Sequence, residues 1–195
     1  VTAPHLAGRT HLTAKTVGYR HGSSGQRRPA RPEPQSLNSA GEGGPLAALY
    51  CAGSRIGIPA EVKDNEYRVA ITPAGVRGFV AHGHTVAIDK DAGAGSSILD
   101  EEYVAAGASI VAHADDVWAE AELILKVKEP VAEEYHRMRR DQVLFTYLHL
   151  AASRECTQAL LDAGTTGVAY ETVQWPDLSL PLLAPLPEVA GRRAP

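Results

Sequence analysis

The sequence predicts an α/β protein built on a mostly parallel, doubly wound, Rossmann-like sheet. Short apolar runs alternate with helix-like segments of about ten residues. The linkers between them are short, as right-handed βαβ crossovers require. The apolar runs carry few polar side chains, as strands covered on both faces should.

The elements follow in order from Arg55. "RIGIP" is a strand ended by proline. "TPAGVRGFVAHG" is a helix with Thr72 as its cap, Pro73 in its first turn and Gly83 as its stop. "HTVAID" is a strand. "LDEEYVAAG" is a short helix, with Asp100 or Ser97 near its start and Gly107 at its end. "ASIVA" is a strand, "DDVWAEA" a helix and "LILKVK" a strand. "VAEEYHRMRR" is expected to be a helix, acidic early and basic late as the helix dipole favours. "QVLFTYLHL" is a strand. "SRECTQALLDAG" runs as a helix from a Ser153 cap to a Gly164 stop, and "TGVAYETV" is the last strand.

Residues 1–53 differ in kind. They are rich in Gly, Pro, Ser and Arg and hold six Lys/Arg against two Glu, with little to bury. The expectation is a disordered basic tail. No dense basic run or interleaved aromatics mark it as a nucleic-acid arm. The net charge of −4 gives no general attraction to nucleic acid either. No apolar run approaches the ~20 residues of a membrane span. The two cysteines, Cys51 and Cys156, form no CxxC pair and no ligand cluster, which fits a reducing cytoplasm.

Three residues carry candidate chemistry. In open parallel sheets ligands gather at the carboxyl ends of strands. Lys128 and His149 stand at two such ends. An ammonium there attracts a carboxylate or polarises a carbonyl oxygen. An imidazole moves protons near neutral pH. Strand alternation puts Lys126 and Lys128 on one face. Arg68, in "KDNEYRVAITP", is followed at once by apolar residues, so its guanidinium is drawn toward the rim, where it would clamp an acid with paired hydrogen bonds. His82 and His84 read as surface residues without a third ligand, so no metal site is expected. "DAGAGSS" has Ile98 where the third glycine of a GxGxxG fingerprint belongs, so it reads as a loop.

Together the stretches "RIGIPAEVKDNEYRVAITPAGV", "LILKVKEP", "FTYLHLAAS", "LLDAGTTGVAYETVQ" and "LPLLAPLPEVAGR" resemble alanine dehydrogenase, in the family shared with nicotinamide nucleotide transhydrogenase. The likeness runs from Arg55 to about Arg193. The "HLAA" segment with its histidine favours the dehydrogenase branch over a transhydrogenase alpha-type domain. The resemblance implies the reversible conversion of L-alanine, water and NAD to pyruvate, ammonium and NADH. It implies that Arg68 and Lys128 bind the substrate carboxylate and its carbonyl or imine oxygen, and that His149 is the general acid/base. It also implies cytoplasmic L-alanine catabolism and a homo-oligomer, commonly a hexamer.

Relative to the family the chain is expected to hold only the substrate domain, over 54–184, followed by the start of an interdomain helix at 185–195. The NAD-binding domain is expected to be absent from it, so alanine-dependent NAD reduction by the chain alone is not expected. Pro187 stands where the family carries a serine that contacts the dinucleotide, and Leu178 where a turn glycine is common. The alternative is a 2-oxo-acid binding or interaction module that works with a separate nucleotide-domain chain.

Overall fold

The computed structural model describes residues 53–186. The tail expected over 1–53, apart from Gly53, and the residues from Pro187 onward lie outside the described part. Six strands form one sheet: β1 (Arg55–Ile58), β2 (Thr85–Asp89), β3 (Ser109–Val111), β4 (Leu123–Lys128), β5 (Val143–Tyr147) and β6 (Thr166–Ala169). All five pairings are parallel, in the spatial order β3-β2-β1-β4-β5-β6. The order reverses between β1 and β4, the switch point at which such sheets open a crevice.

Four helices connect the strands: α1 (Pro73–Ala81), α2 (Asp100–Ala105), α3 (Ala114–Glu120) and α4 (Arg154–Ala163). Alternation along the strands divides the core in two. Ile56, Ile58, Leu123, Leu125 and Val143 face one way, packing with Val76 of α1 and Tyr103 of α2. Ile124 and Leu144 face the other way, with Trp118 of α3 and Cys156 and Leu160 of α4. The expected doubly wound sheet is therefore the architecture observed. Gly57 sets the spacing on the α3 side. A Cβ there would stand 2.7 Å from Ala121 Cβ, so only glycine lets this segment seat against β1.

The expected caps on two helices are present. Thr72 Oγ1 accepts from the Gly75 N–H at 3.4 Å, and Ser153 Oγ accepts from the Cys156 N–H at 3.1 Å. Gly164 closes α4 in the left-handed region. The start of α2 differs. Neither Ser97 nor Asp100 caps it; Leu99 holds that place, and its N–H donates to Glu102 Oε1 at 3.1 Å. Asp100 instead accepts from the Asp91 N–H.

Two other elements are shorter than expected. The segment read as a ten-residue helix is a 3₁₀ stretch, Ala132–Arg137, because Glu134 turns inward and Met138 leaves the helix in an extended, buried conformation. β5 stops at Tyr147, two residues before His149, because His149 adopts φ 43° and opens a 3₁₀ turn at Leu150–Ala152. His84 is half-buried against Phe79 rather than on the surface.

Leu178 adopts φ 71° in an exposed turn closed by the Leu178 N–H donating to Trp175 O at 2.9 Å. A non-glycine residue in this region costs about 1–2 kcal/mol. Replacing Leu178 with Gly is expected to stabilise the protein by about 0.5–1 kcal/mol, net of the unfolded-state entropy of glycine. Thermal unfolding followed by circular dichroism checks it, and an unchanged or lower Tm contradicts it.

Candidate functional site

Because every strand is parallel, the loops that follow β1, β4, β5 and β6 all leave from the same edge of the sheet. Arg68 lies in the loop after β1, Lys128 ends β4, His149 follows β5, and Tyr170 follows β6. A cleft of about 410 Å³ opens there, lined by Arg68, Thr72, Lys126 and Tyr170 among mainly apolar side chains such as Val69 and Phe145.

Arg68 is set by a neighbour two residues away. Its Nε donates to Glu66 Oε1 at 2.7 Å and its Nη2 to Glu66 Oε2, while the Arg68 N–H donates to the same carboxylate at 3.0 Å. The guanidinium holds the Glu66 carboxyl below the usual carboxylate range. Glu66 occupies one edge of the planar fork, which leaves the edge between the two Nη atoms to face an acid. The preceding residue is braced as well. Ser96 Oγ donates to Tyr67 O at 3.0 Å, and a Cβ on Gly95 would stand 2.7 Å from that same oxygen. The "DAGAGSS" loop thus contains a 3₁₀ turn, Ala94–Ser96, that supports the arm carrying Arg68.

Lys128 and His149 meet across one aromatic ring. Lys128 Nζ lies 5.5 Å from the centre of Tyr147, its register partner on β5. The His149 ring packs edge-on against the same Tyr147 at 5.8 Å, and so does Tyr170, at 5.8 Å. Glu171 holds the backbone that carries the imidazole: Oε1 accepts from the N–H groups of Leu148 at 3.1 Å and His149 at 2.8 Å. This carboxylate sustains the left-handed conformation of His149 and turns its exposed ring toward Tyr147. Tyr170 links the cluster to Arg68. Its hydroxyl donates to Val127 O at 3.0 Å. Burial pushes that hydroxyl up to about 12, with the nearby Arg68 charge acting the other way.

The two lysines of β4 do not behave alike. The expectation that they share a strand face fails because the register with β5 shifts between Leu125 and Lys128, which breaks the period of two. Lys126 is not solvated; its side chain is fully buried, 3.2 Å from Glu61 and 2.9 Å from Glu134. A charged residue inside the apolar run "LILKVK" was the available signal for a buried ion pair. Tyr147, Tyr170, Glu171 and Glu66 were not singled out, since nothing local in "FTYL", "AYET" or "NEYR" separates them from ordinary core or surface residues.

The described residues do not fit a dinucleotide. The loop after β1, over 59–72, contains no glycine to admit a pyrophosphate. Asp89, at the end of β2 where an acidic residue would take a ribose, is buried and accepts from the Ala60 N–H at 3.2 Å. Among the described residues no group of three or more His, Cys, Asp or Glu is arranged to hold a metal ion. No described helix is long and apolar enough to cross a membrane.

Residues 57–190 match the family model described as "Alanine dehydrogenase/PNT, N-terminal domain". An alanine dehydrogenase of Mycobacterium tuberculosis (strain CDC 1551 / Oshkosh) is 64% identical over 140 residues, which are 72% of this chain and 38% of the relative. A solved structure described as L-alanine dehydrogenase superposes with a TM-score of 0.69 at 51% identity, over 71% of this chain and 38% of the other. A transhydrogenase from Sinorhizobium meliloti superposes with a TM-score of 0.57 at 34% identity, over 60% of this chain and 33% of the other. The chain spans about two-fifths of the length of the curated relatives it matches.

The shielding of Tyr170 has a measurable consequence. Alkaline titration at 295 nm is expected to show one tyrosine ionising near 12, and this step should vanish in Tyr170→Phe. The folded-state value exceeds the ordinary value of 10.0, so the unfolded chain sheds this proton first. The stability due to Tyr170 is therefore intact below pH ~10 and is lost as pH rises toward 12. Loss of a tyrosine step near 10 in the Phe variant would contradict the packing described.

Proposed function

The chain belongs to the alanine dehydrogenase/PNT family through its N-terminal domain, and from that premise we propose that it forms the substrate-binding part of an L-alanine dehydrogenase. In this reading residues 54–184 are the substrate domain. Arg68 binds the carboxylate shared by alanine and pyruvate through the guanidinium edge that Glu66 leaves open. Lys128 polarises the oxygen at C2 of pyruvate. His149 gives and takes the proton at that oxygen. Tyr147 keeps the ammonium and the imidazole apart but beside one another, so both act on one small molecule. The observation that carries the reading is the shared contact of Lys128 and His149 with Tyr147, at the rim onto which the Arg68 loop also opens.

The overall reaction is the oxidation of L-alanine with NAD and water to pyruvate, ammonium and NADH. NAD is the hydride acceptor in this reading, and the described residues are not the ones that hold it. The setting is cytoplasmic, and the assembly is a homo-oligomer.

Calorimetric titration with pyruvate tests the substrate half of the proposal. Saturable binding is expected, and Arg68→Ala and Lys128→Ala should each weaken it about tenfold or more, the loss of one charge-assisted hydrogen bond. His149→Gln should leave pyruvate affinity within about threefold, because the imidazole handles the proton rather than the carboxylate. Absence of saturable binding, or equal affinity in the Arg68 and Lys128 variants, would overturn it.

A further inference from the structure

β4 outruns its neighbour. β1 pairs with it only through Ile56 and Gly57, opposite Leu123 and Ile124. Beyond that point the N–H groups on the β1 side of β4 have no strand to donate to, and buried donors must find acceptors. Glu61, three residues past the end of β1, supplies them. Its Oε1 accepts from the Val127 N–H at 2.6 Å, and its Oε2 faces the Lys128 N–H at 3.4 Å. The same carboxylate lies 3.2 Å from Lys126 Nζ, whose other neighbour is Glu134 at 2.9 Å. The three side chains are almost wholly buried, with 2%, 0% and 1% of their side-chain surface exposed for Glu61, Lys126 and Glu134.

This is more than an internal ion pair. Glu61 grips β4 across the segment where its register with β5 shifts, and that shift decides which way the next side chain points. On the other flank Thr146 Oγ1 donates to Lys128 O at 2.8 Å. Lys63, two residues on from Glu61, pairs with Glu129, the residue after Lys128. The loop after β1 thus reaches the chain on both sides of Lys128, at the Val127 N–H and at the Glu129 side chain. Lys126 fixes Glu61 by charge, and Glu134 balances Lys126 from the 3₁₀ turn that follows β4.

We propose that Glu61, locked by the buried Lys126–Glu134 pair, is the positioning residue for Lys128: it stands in for a missing strand and sets the height of the Lys128 ammonium over Tyr147. The inference rests on the reading of Lys128 as the group that binds the substrate oxygen. Burial pushes the Glu61 carboxyl above its ordinary range, opposed by Lys126, so this clamp works against a desolvation cost that a merely exposed loop residue would not bear.

Glu61→Gln is the decisive variant because it keeps the shape and one acceptor oxygen. Its amide oxygen can still accept from Val127, but its NH₂ then faces two donors, the Lys128 N–H and the Lys126 ammonium. Three readouts apply to the full chain. Amide exchange at Lys128 should accelerate about tenfold or more, with Val127 far less affected. The ¹³C-methyl signal of reductively methylated Lys128, displaced by the Tyr147 ring and assigned with Lys128→Arg, should lose about half or more of its displacement. Pyruvate affinity should fall about fivefold or more. Glu61→Ala should free both amides. Wild-type protection at Lys128 and a methyl signal that keeps its full wild-type displacement in Glu61→Gln would overturn the proposal. If the wild-type chain binds no pyruvate, the role given to Lys128 fails, while exchange and ring shift still decide whether Glu61 sets its position.

Discussion

Six parallel strands commit the chain to a single working edge. Every carboxyl end points the same way, so the segments after β1, β4, β5 and β6 crowd one rim, and the reversal of strand order between β1 and β4 opens the crevice beside them. Arg68, Phe145 and Tyr170, far apart along the sequence, thereby line one cleft. The parallel constraint also explains why the site needs bracing. Strands of unequal length leave N–H groups without partners at the rim, and side chains must replace the absent ladder.

The replacements are carboxylates. Glu61 serves the end of β4, Glu171 the turn after β5, and Glu66 the loop after β1. Each accepts at least one backbone N–H beside a basic residue, Lys128, His149 or Arg68, and of these three Arg68 lines the cleft. Carboxylates on the backbone and basic side chains beyond them form one pattern, the one on which the proposal of an anionic ligand rests. Lys126 shows the cost of such an arrangement. A fully buried ammonium requires two carboxylates close by, and removing one partner from a buried pair of this kind typically costs about 3–5 kcal/mol.

Much of this was legible in the residues. Apolar runs punctuated by Thr72, Gly83, Ser153 and Gly164 disclose the strands and two capped helices, because capping and left-handed stops are local chemistry. Arg68, Lys128 and His149 stood out because each ends or follows an apolar run. Leu178 was marked by the turn glycine it displaces, and its positive φ bears that out. What stayed hidden depends on non-local geometry. The register shift in β4 separates Lys126 from Lys128, and no pattern of alternation within "LILKVK" contains it. Glu134 is drawn out of a helical pattern by a lysine on another element, so the expected helix tightens to a 3₁₀ turn. Tyr147 and Tyr170 gain their meaning only from what stands opposite them.

The central claim is spatial: a guanidinium, an ammonium and an imidazole address one carboxylate-sized ligand. The most direct measurement is a crystal structure of the protein with pyruvate. The account requires the carboxylate on the open edge of Arg68, the C2 oxygen within hydrogen-bond reach of Lys128 Nζ, and the His149 ring at the same oxygen, all beside Tyr147. Pyruvate seated elsewhere, or touching one of the three groups while the other two point away, would contradict it.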